Sequence, residues 1–497
     1  MPQDHFDVLI VGAGLSGIGA AYHLQQHCPT KSYAILESRA CMGGTWDLFR
    51  YPGIRSDSDM HTLGYNFKPW VHERAIADGP AILDYIHKAA AENDIEKNIR
   101  YDHRVTGADW SSEQARWTVQ VEVEGQPRQI TAQFVLMCAG YYRYSEGYTP
   151  EFPGRDRFQG KIVHPQLWPE DLDYANKKVV IIGSGATAVT LLPAMADDAA
   201  HITMLQRSPT YMASRPYKDI INNLLRKILP ESWAYAFTRW KNITLQNRLY
   251  KLTRTKPDKM RKMLLDRVRK TLGPDYDVAT HFTPSYSPWD QRLCLVPDED
   301  LFVALKSGKA SVVTDQIETF TETGIQLKSG QHLEADIIVT ATGLQMVALG
   351  EASFTVDGQA INLGESWTYK GLMLSGMPNL VNTFGYINAS WTLGADLTAE
   401  YFCQLINHMD AIGADQVTPT LRDSDANMQP HPFIKDFTSG YMQRAMHLLP
   451  KQGDREPWLN TQDYIRDRKI LGDARFDDGA LVFTQALAKT TAALDAA

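Results

Sequence analysis

An α/β chain built from two parallel-sheet nucleotide-binding units, with a helical insertion in the second, is what the sequence predicts, and three observations predict it. Gly12-Ala-Gly14-Leu-Ser16-Gly17 follows a short aliphatic, β-branched run at Phe6–Val11 and opens an apolar helical pattern. The same pattern returns at Gly183-Ser184-Gly185-Ala186-Thr187-Ala188 after Lys177–Ile182, with alanine in the third place. Beyond it, residues 215 to 270 carry apolar positions at helical spacing. Strand, tight turn and helix in that order make a Rossmann-like unit. The first glycine permits the turn, the second admits a pyrophosphate to the backbone, the third lets helix and strand pack, and the helix N-terminus faces the phosphates.

The strand after each turn separates the two sites. Tyr33–Glu37 ends in an acid 25 residues after Gly12, where a carboxylate grips both hydroxyls of an unphosphorylated ribose, as in FAD or NAD. His201–Leu205 runs instead into Gln206-Arg207-Ser208, so an arginine and a hydroxyl stand where a 2′-phosphate would be, and this site reads as NADPH. Two further strands are expected, Phe134–Met137 before Cys138-Ala-Gly140 and Ala335–Thr340 before Ala341-Thr-Gly343. The expected division is 1–155 and 343–497 for the first unit, 156–214 and 286–342 for the second, and 215–285 for the insertion.

At 497 residues and 55.9 kDa the chain is too long for one core. The start is acidic and its apolar run stops at Gly12, which does not read as an export signal. No apolar stretch approaches the roughly 20 residues of a bilayer crossing. Five scattered cysteines argue against a disulfide framework and for a reducing, cytoplasmic compartment. No metal site and no nucleic-acid partner are expected. Net charge is −8, yet residues 215 to 270 hold sixteen Lys/Arg against four Asp/Glu, +12, leaving −20 for the rest. Within that segment Ile220, Leu224 and Ile228, then Trp233, Phe237 and Trp240, then Met260, Leu264 and Val268 predict two or three amphipathic helices. Their charge fits a solvated face, steering of NADPH, or peripheral contact with an anionic membrane at its inner face.

Between the two glycine patterns lies Phe158-Gln-Gly160-Lys-Ile-Val-His164-Pro165-Gln-Leu-Trp168-Pro169. It resembles the fingerprint of type I Baeyer–Villiger flavoprotein monooxygenases. Cys41-Met-Gly43-Gly44-Thr45-Trp46-Asp47, with Arg55 and Asp57 behind it, resembles the loop that covers the flavin ring in flavoprotein monooxygenases, and Pro288-Trp-Asp-Gln-Arg292 continues the likeness towards the ethionamide-activating subgroup. The resemblance implies two cofactors, FAD and NADPH: NADPH reduces FAD, oxygen adds at flavin C4a, and the peroxide attacks a ketone to give an ester or lactone. O2 and small apolar ketones or sulfides, with thioamides, are then the partners. By resemblance the catalytic residues are Arg292, the cation beside the peroxide, and Asp57, which positions it. The expected cofactor residues are Gly12, Gly14, Ser16, Gly17, Glu37, Gly44, Thr45, Trp46, Arg55, Asp57, Val105, Gly183, Ser184, Gly185, Ala186, Thr187, Ala188, Arg207 and Ser208. His164 is expected to serve a hinge or the coupling of the nicotinamide, not direct acid–base work, with Phe158 and Trp168 packing the hinge.

Two positions depart from the family: Pro165 replaces a threonine, and Gln291 replaces a lysine that helps hold the NADP phosphate, so Arg207 carries more of the preference. A strand at Asn379–Phe384 followed by a helix opening at Gly385-Tyr-Ile-Asn388-Ala-Ser390-Trp391 is expected to aim its positive end at the flavin. Trp70, Trp289 and Trp391 are candidates for the substrate pocket. A flavin monooxygenase acting mainly on sulfur or nitrogen, a disulfide reductase, which would need a redox-active cysteine pair, and a non-catalytic flavin-binding sensor are the alternatives.

Overall fold

Apolar strands too short to stand alone are buried on both faces of two sheets. The structure, a computed structural model, describes residues 4–291, 293–435 and 437–486. In the first sheet β1 (His5–Val11) lies between β2 (Tyr33–Leu36) and the far end of a long strand, parallel to both. Its side chains alternate: Val8 and Ile10 enter one core with helix α1 (Leu15–His27), while Leu9 and Val11 enter another with Trp110 and Trp117. That is the mark of a strand covered on both sides. Outward from β2 comes β3 (Ile99–Arg100); on the other side β4 (His103–Ser111), β5 (Arg116–Val123) and β6 (Gln126–Met137) form an antiparallel meander, and β6 then turns parallel neighbour to β1.

From β6 the chain passes through Cys138–Gly140 into β7 (Tyr142–Gly147), then β8 (Lys161–Val163) and β9 (Lys178–Ile182) of the second sheet. Short helices α2 (Thr45–Leu48) and α3 (Met60–Leu63) and the longer α4 (Gly79–Glu92) precede that passage, and α5 (Ala186–Met195) follows β9. The second sheet is parallel throughout: β10 (His201–Gln206) and β13 (Ala310–Thr314) lie on one side of β9, and β17 (Ile337–Thr340) and β8 on the other. A hairpin sheet of β14 (Ile317–Thr321), β15 (Gly324–Leu327) and β16 (His332–Glu334) joins β13 to β17. The return passes through Ala341–Gly343 into β18 (Leu344–Met346), which pairs antiparallel with β7. The outgoing and returning chains are thus zipped together.

A parallel pair, β11 (Tyr211–Arg215) and β12 (Leu293–Pro297), closes a long excursion. It contains α6 (Ile220–Leu225), α7 (Glu231–Thr255), α8 (Pro257–Leu272) and α9 (Val278–Phe282); α10 (Asp300–Lys306) follows β12. Helix α7, 25 residues and about 37 Å long, reaches back onto the first unit. Tyr235 donates to the carbonyl of Tyr65 (2.8 Å), Asn242 to Asp59 (2.9 Å), and the buried Arg239 to the carbonyls of His61 (3.0 Å) and Gly64 (2.7 Å). Arg239 also faces Asp396 at 3.6 Å on α11 (Trp391–Ile412).

Two expectations change. The late helix starts at Trp391, with Ser390 as N-cap, not at Gly385. Gln462 captures the intervening chain, accepting from Ile387 N (2.9 Å) and donating to Gly385 O (3.3 Å), and Asn388 donates to Gln462 O. The three apolar groups of the basic segment also part company: Met260, Leu264 and Val268 are core, whereas the stripes from Ile220 to Ile228 and Trp233 to Trp240 face solvent.

Replacing Arg239 by Met is expected to lower unfolding stability by about 3–5 kcal/mol, because Asp396 loses a buried counter-charge. The additional change Asp396→Leu should recover much of the loss; urea unfolding of the single and double variants measures both.

Candidate active site

Both glycine turns solve the same steric problem in the same way. Gly12 has φ +104°, and a methyl there would stand 2.6 Å from the carbonyl oxygen of Cys138. Gly183 has φ +137°, and a methyl there would stand 2.3 Å from that of Ala341. Only glycine fits where the turn is pressed against the strand that leaves the sheet. The second glycines are the opposite case. Around Gly185 the space is open, so a phosphate can reach its backbone, and a methyl on Gly14 would meet nothing closer than Gly44 Cα at 3.6 Å, an ordinary contact.

The first cavity, about 530 Å³, is lined by Gly12, Gly14, Ser16, Glu37, Gly44, Thr45, Trp46 and Val105. Glu37 is 4 % exposed at the end of β2. Its carboxylate accepts from the N–H of Ala13 (2.8 Å) and of Arg39 (3.0 Å), with further lone pairs left toward the cavity. Burial pushes its pKa up, against those two N–H groups, which favour the charged form. A carboxylate for ribose and a helix N-terminus for pyrophosphate fit a flavin dinucleotide.

The second cavity, about 1120 Å³, takes Gly183, Ser184, Gly185, Ala186, Thr187 and Arg207 at one end. Ser184 Oγ bonds to Ser208 O (3.0 Å) and to Thr210 Oγ1 (2.9 Å). Three expected residues lie off the cavity walls: Gly17, where a methyl would meet Gly12 O at 1.9 Å, the fully buried Ala188, and the exposed Ser208. The first two let helix and strand pack. Arg55 and Asp57 line the second cavity, not the first. Arg55 is held by Asp300 and by the hydroxyl of Tyr217 (2.7 Å), so its charge is engaged within the protein.

Thr45, Trp46, Leu63, Tyr141, Tyr142 and Trp391 line both cavities. Trp391 opens α11, donates to Ser16 Oγ at 2.7 Å and stacks on Tyr141 with centroids 5.0 Å apart. A ring system in one cavity therefore meets one in the other across this aromatic wall. Arg292 lies outside the described residues; Gln291 and Leu293 on either side of it line the second cavity. The loop before it is tightly held. Asp290 pairs with Arg254 of α7 (2.6 Å) and its carbonyl accepts from Thr438 N (2.7 Å), while Trp289 sits at φ +71°, a strained conformation for a side chain of that size.

The fingerprint lines neither cavity. His164 donates from Nε2 to Gly343 O (3.1 Å) and accepts at Nδ1 from Gln166 N (3.2 Å), so its tautomer is set and burial lowers its pKa. Gln166 donates to the carbonyls of Arg143 (2.7 Å) and Tyr144 (3.1 Å) in β7. Phe158 is core, and Trp168 is half-buried against the second sheet. Of the candidate pocket aromatics Trp289 and Trp391 line the second cavity, but Trp70 is buried core. Sequence reasoning missed Tyr141, Tyr142 and Arg444. The tyrosines follow Cys138-Ala-Gly140, which marked the place; Arg444, 3.5 Å over the ring of Tyr148, carried no local signal.

Two dinucleotide cavities meeting at one wall define a flavin- and nicotinamide-dependent oxidoreductase. Residues 9–263, just over half the chain, match the family model described as pyridine nucleotide-disulphide oxidoreductase. The chain is 56 % identical to the FAD-containing monooxygenase EthA of Mycolicibacterium smegmatis, over 98 % of this chain and 99 % of that one. It is 54 % identical to EthA of Mycobacterium tuberculosis (97 % and 98 %) and 51 % to the probable FAD-binding monooxygenase AlmA of Acinetobacter baylyi (97 % and 96 %). The chain belongs to the FAD-containing monooxygenases of this EthA-like family. Its fold is that of an oxidized steroid monooxygenase bound to NADP (TM-score 0.77, 23 % identity, 97 % of this chain and 100 % of that one) and of cyclohexanone monooxygenase (0.78, 18 %, 97 % and 100 %). The family resemblance read from the sequence is borne out. All five cysteines are free, and of them only Cys138 lines the first cavity, so the pair a disulfide reductase needs is missing from that wall.

His164 gives a pH test. Its folded pKa is depressed, so the stability it contributes is full above about pH 6.5 and is lost as pH falls from there toward the folded value. Between about pH 8 and pH 5.5 the melting temperature of His164→Gln should fall less than that of the parent; an equal fall would show the imidazole to be unlinked.

Proposed function

We propose that this enzyme converts apolar ketones to esters or lactones with NADPH and O2, and oxidises sulfides and thioamides at the same site. The balance is ketone, O2, NADPH and a proton giving ester, water and NADP+. The observation that carries the reading is the shared aromatic wall, with Asp57 and the two neighbours of Arg292 on its nicotinamide side. Bound FAD supplies the electron transfer and oxygen activation; the chain's own residues supply the rest.

Glu37 holds the flavin ribose, and the first turn of α1 takes the pyrophosphate. Gly185 and its neighbours hold the NADPH pyrophosphate, and Arg207, exposed at the rim of the second cavity, pairs with the 2′-phosphate. Arg292 is the fixed cation for the oxygen that attacks the carbonyl: a guanidinium keeps its proton and presents several donors. Asp57 orients it. The strained Trp289 and the anchored Asp290 hold the loop immediately before it in sequence. Leu249, Tyr250, Met263 and Trp289 give the cavity an apolar flank suited to a ketone. The basic segment 215–270 is, in the same reading, a peripheral membrane contact; among the described residues no helix is long and apolar enough to cross a membrane.

Arg292→Ala should cut ester formation by about 10²–10³-fold while NADPH still reduces the flavin; undiminished ester yield, followed by gas chromatography, overturns the assignment. Turnover of sulfide with none of ketone would instead move the enzyme to heteroatom oxidation. Arg207→Ala should raise KM for NADPH about 10–100-fold and leave KM for NADH unchanged in steady-state assays.

A further inference from the structure

Among the described residues the largest run of exposed apolar side chains lies on α6, the turn after it and the first half of α7. Ile220 is 74 % exposed, Leu224 60 %, Ile228 72 %, Trp233 69 %, Phe237 45 % and Trp240 59 %. The like-spaced residues of α8, Met260, Leu264 and Val268, are 7, 9 and 2 % exposed. Equal periodicity thus has opposite outcomes, and packing explains only α8.

The exposed stripe has no freedom to turn inward. Tyr235, Arg239 and Asn242, on the other face of α7, are bonded to the first unit. At 100° per residue Trp233, Phe237 and Trp240 fall within about 60° of one another. The same face continues through Thr244 to the exposed Arg248 and Lys251, passing from aromatic to basic along one helix. Lys227, in the turn before α7, and Lys256, at its C-terminal end, are also exposed.

We propose that this face seats on an anionic lipid bilayer, α6 and the first half of α7 lying in the interface with Trp233, Phe237 and Trp240 among the headgroups. It rests on the reading of segment 215–270 as a membrane contact and names the surface and the lipid chemistry. Exposed tryptophan and aliphatic residues beside lysine and arginine are what an interfacial helix presents to acidic headgroups. Charge favours this orientation: the segment carries +12, part of it spent where Lys218, Arg239, Lys251, Arg254 and Arg267 pair with acids of the rest of the chain, and is drawn to such a surface, while the remaining chain at −20 is repelled from it. Charge also disfavours a second copy as the occupant, because a two-fold contact would set one +12 segment against another.

The test is co-sedimentation of the FAD-loaded enzyme at about 0.15 M salt with vesicles of phosphatidylcholine alone and of phosphatidylcholine mixed with phosphatidylglycerol. Binding to the mixed vesicles only is expected. The triple variant Trp233→Ser, Phe237→Ser, Trp240→Ser should bind at least about tenfold more weakly, as should Lys227→Glu with Arg248→Glu. Both should oxidise NADPH with a water-soluble ketone or sulfide at the parental rate. Absence of binding by the parent removes the membrane reading of the whole segment. Binding that survives the triple variant leaves that reading standing and overturns this face. A lipid-free dimer in sedimentation equilibrium that the triple variant converts to monomer assigns the face to a second copy and also overturns the proposal.

Discussion

Everything at the active site depends on the short antiparallel pairing of β7 with β18. Without it the two nucleotide units would be joined at this crossing by two independent strands of chain. Residues opposite one another, Leu344 with Gly147 and Met346 with Tyr142, set that register. Tyr148 and Gly343 reinforce it: the amide of Tyr148 donates to Gly343 O at 3.0 Å, and Thr342 Oγ1 to Tyr148 O at 2.6 Å. The fingerprint histidine fits here, its ring packed so closely on Gly147 that a methyl at that glycine would stand 1.9 Å from it. Its signature is therefore one of architecture: it locks the crossing from which Tyr141 and Tyr142 reach the aromatic wall.

The long helix α7 is the second tie, and of a different kind. It enters the chain between two strands that pair beside the second sheet, yet its middle is held by the first unit through a buried guanidinium. Arg239 meets backbone carbonyls as well as a carboxylate, so its desolvation is offset by several bonds at once, the condition under which a buried charge is tolerable. Helix α7 thus connects three surroundings: solvent-facing aromatics near its start, the first unit in the middle, and Leu249, Tyr250 and Thr253 on the second cavity towards its end.

The parts of this architecture that are local in sequence were legible, and those that are not were hidden. Gly12, Gly14, Glu37, Gly183, Gly185 and Arg207 could be found because a nucleotide turn needs its glycines, its acid or its arginine at fixed distances along one stretch of chain. Strand β1 could be found because burial on both faces leaves an unbroken apolar run. The start of α11 was misread because Gln462, some seventy residues away, holds the preceding loop. The fate of the helical stripes was equally invisible: Trp233 and Leu264 occupy the same kind of position in the same kind of pattern, and only the presence or absence of a neighbour decides which is core. Arg444 reaches the cavity from a segment with no motif. Asp57 and Arg55 carried a readable motif, but not the information that they line the second cavity.

The two first glycines leave one consequence. Each nucleotide turn is butted, with no room for even a methyl group, against a carbonyl at the exit of the strand that carries the chain into the other unit. Joints of that kind have no play. A displacement of either turn cannot be absorbed locally, and must pass as rigid motion into the crossing that both units share. The two halves are in this sense geared and not hinged: the tolerance of the mechanism is set by the smallest side chain there is.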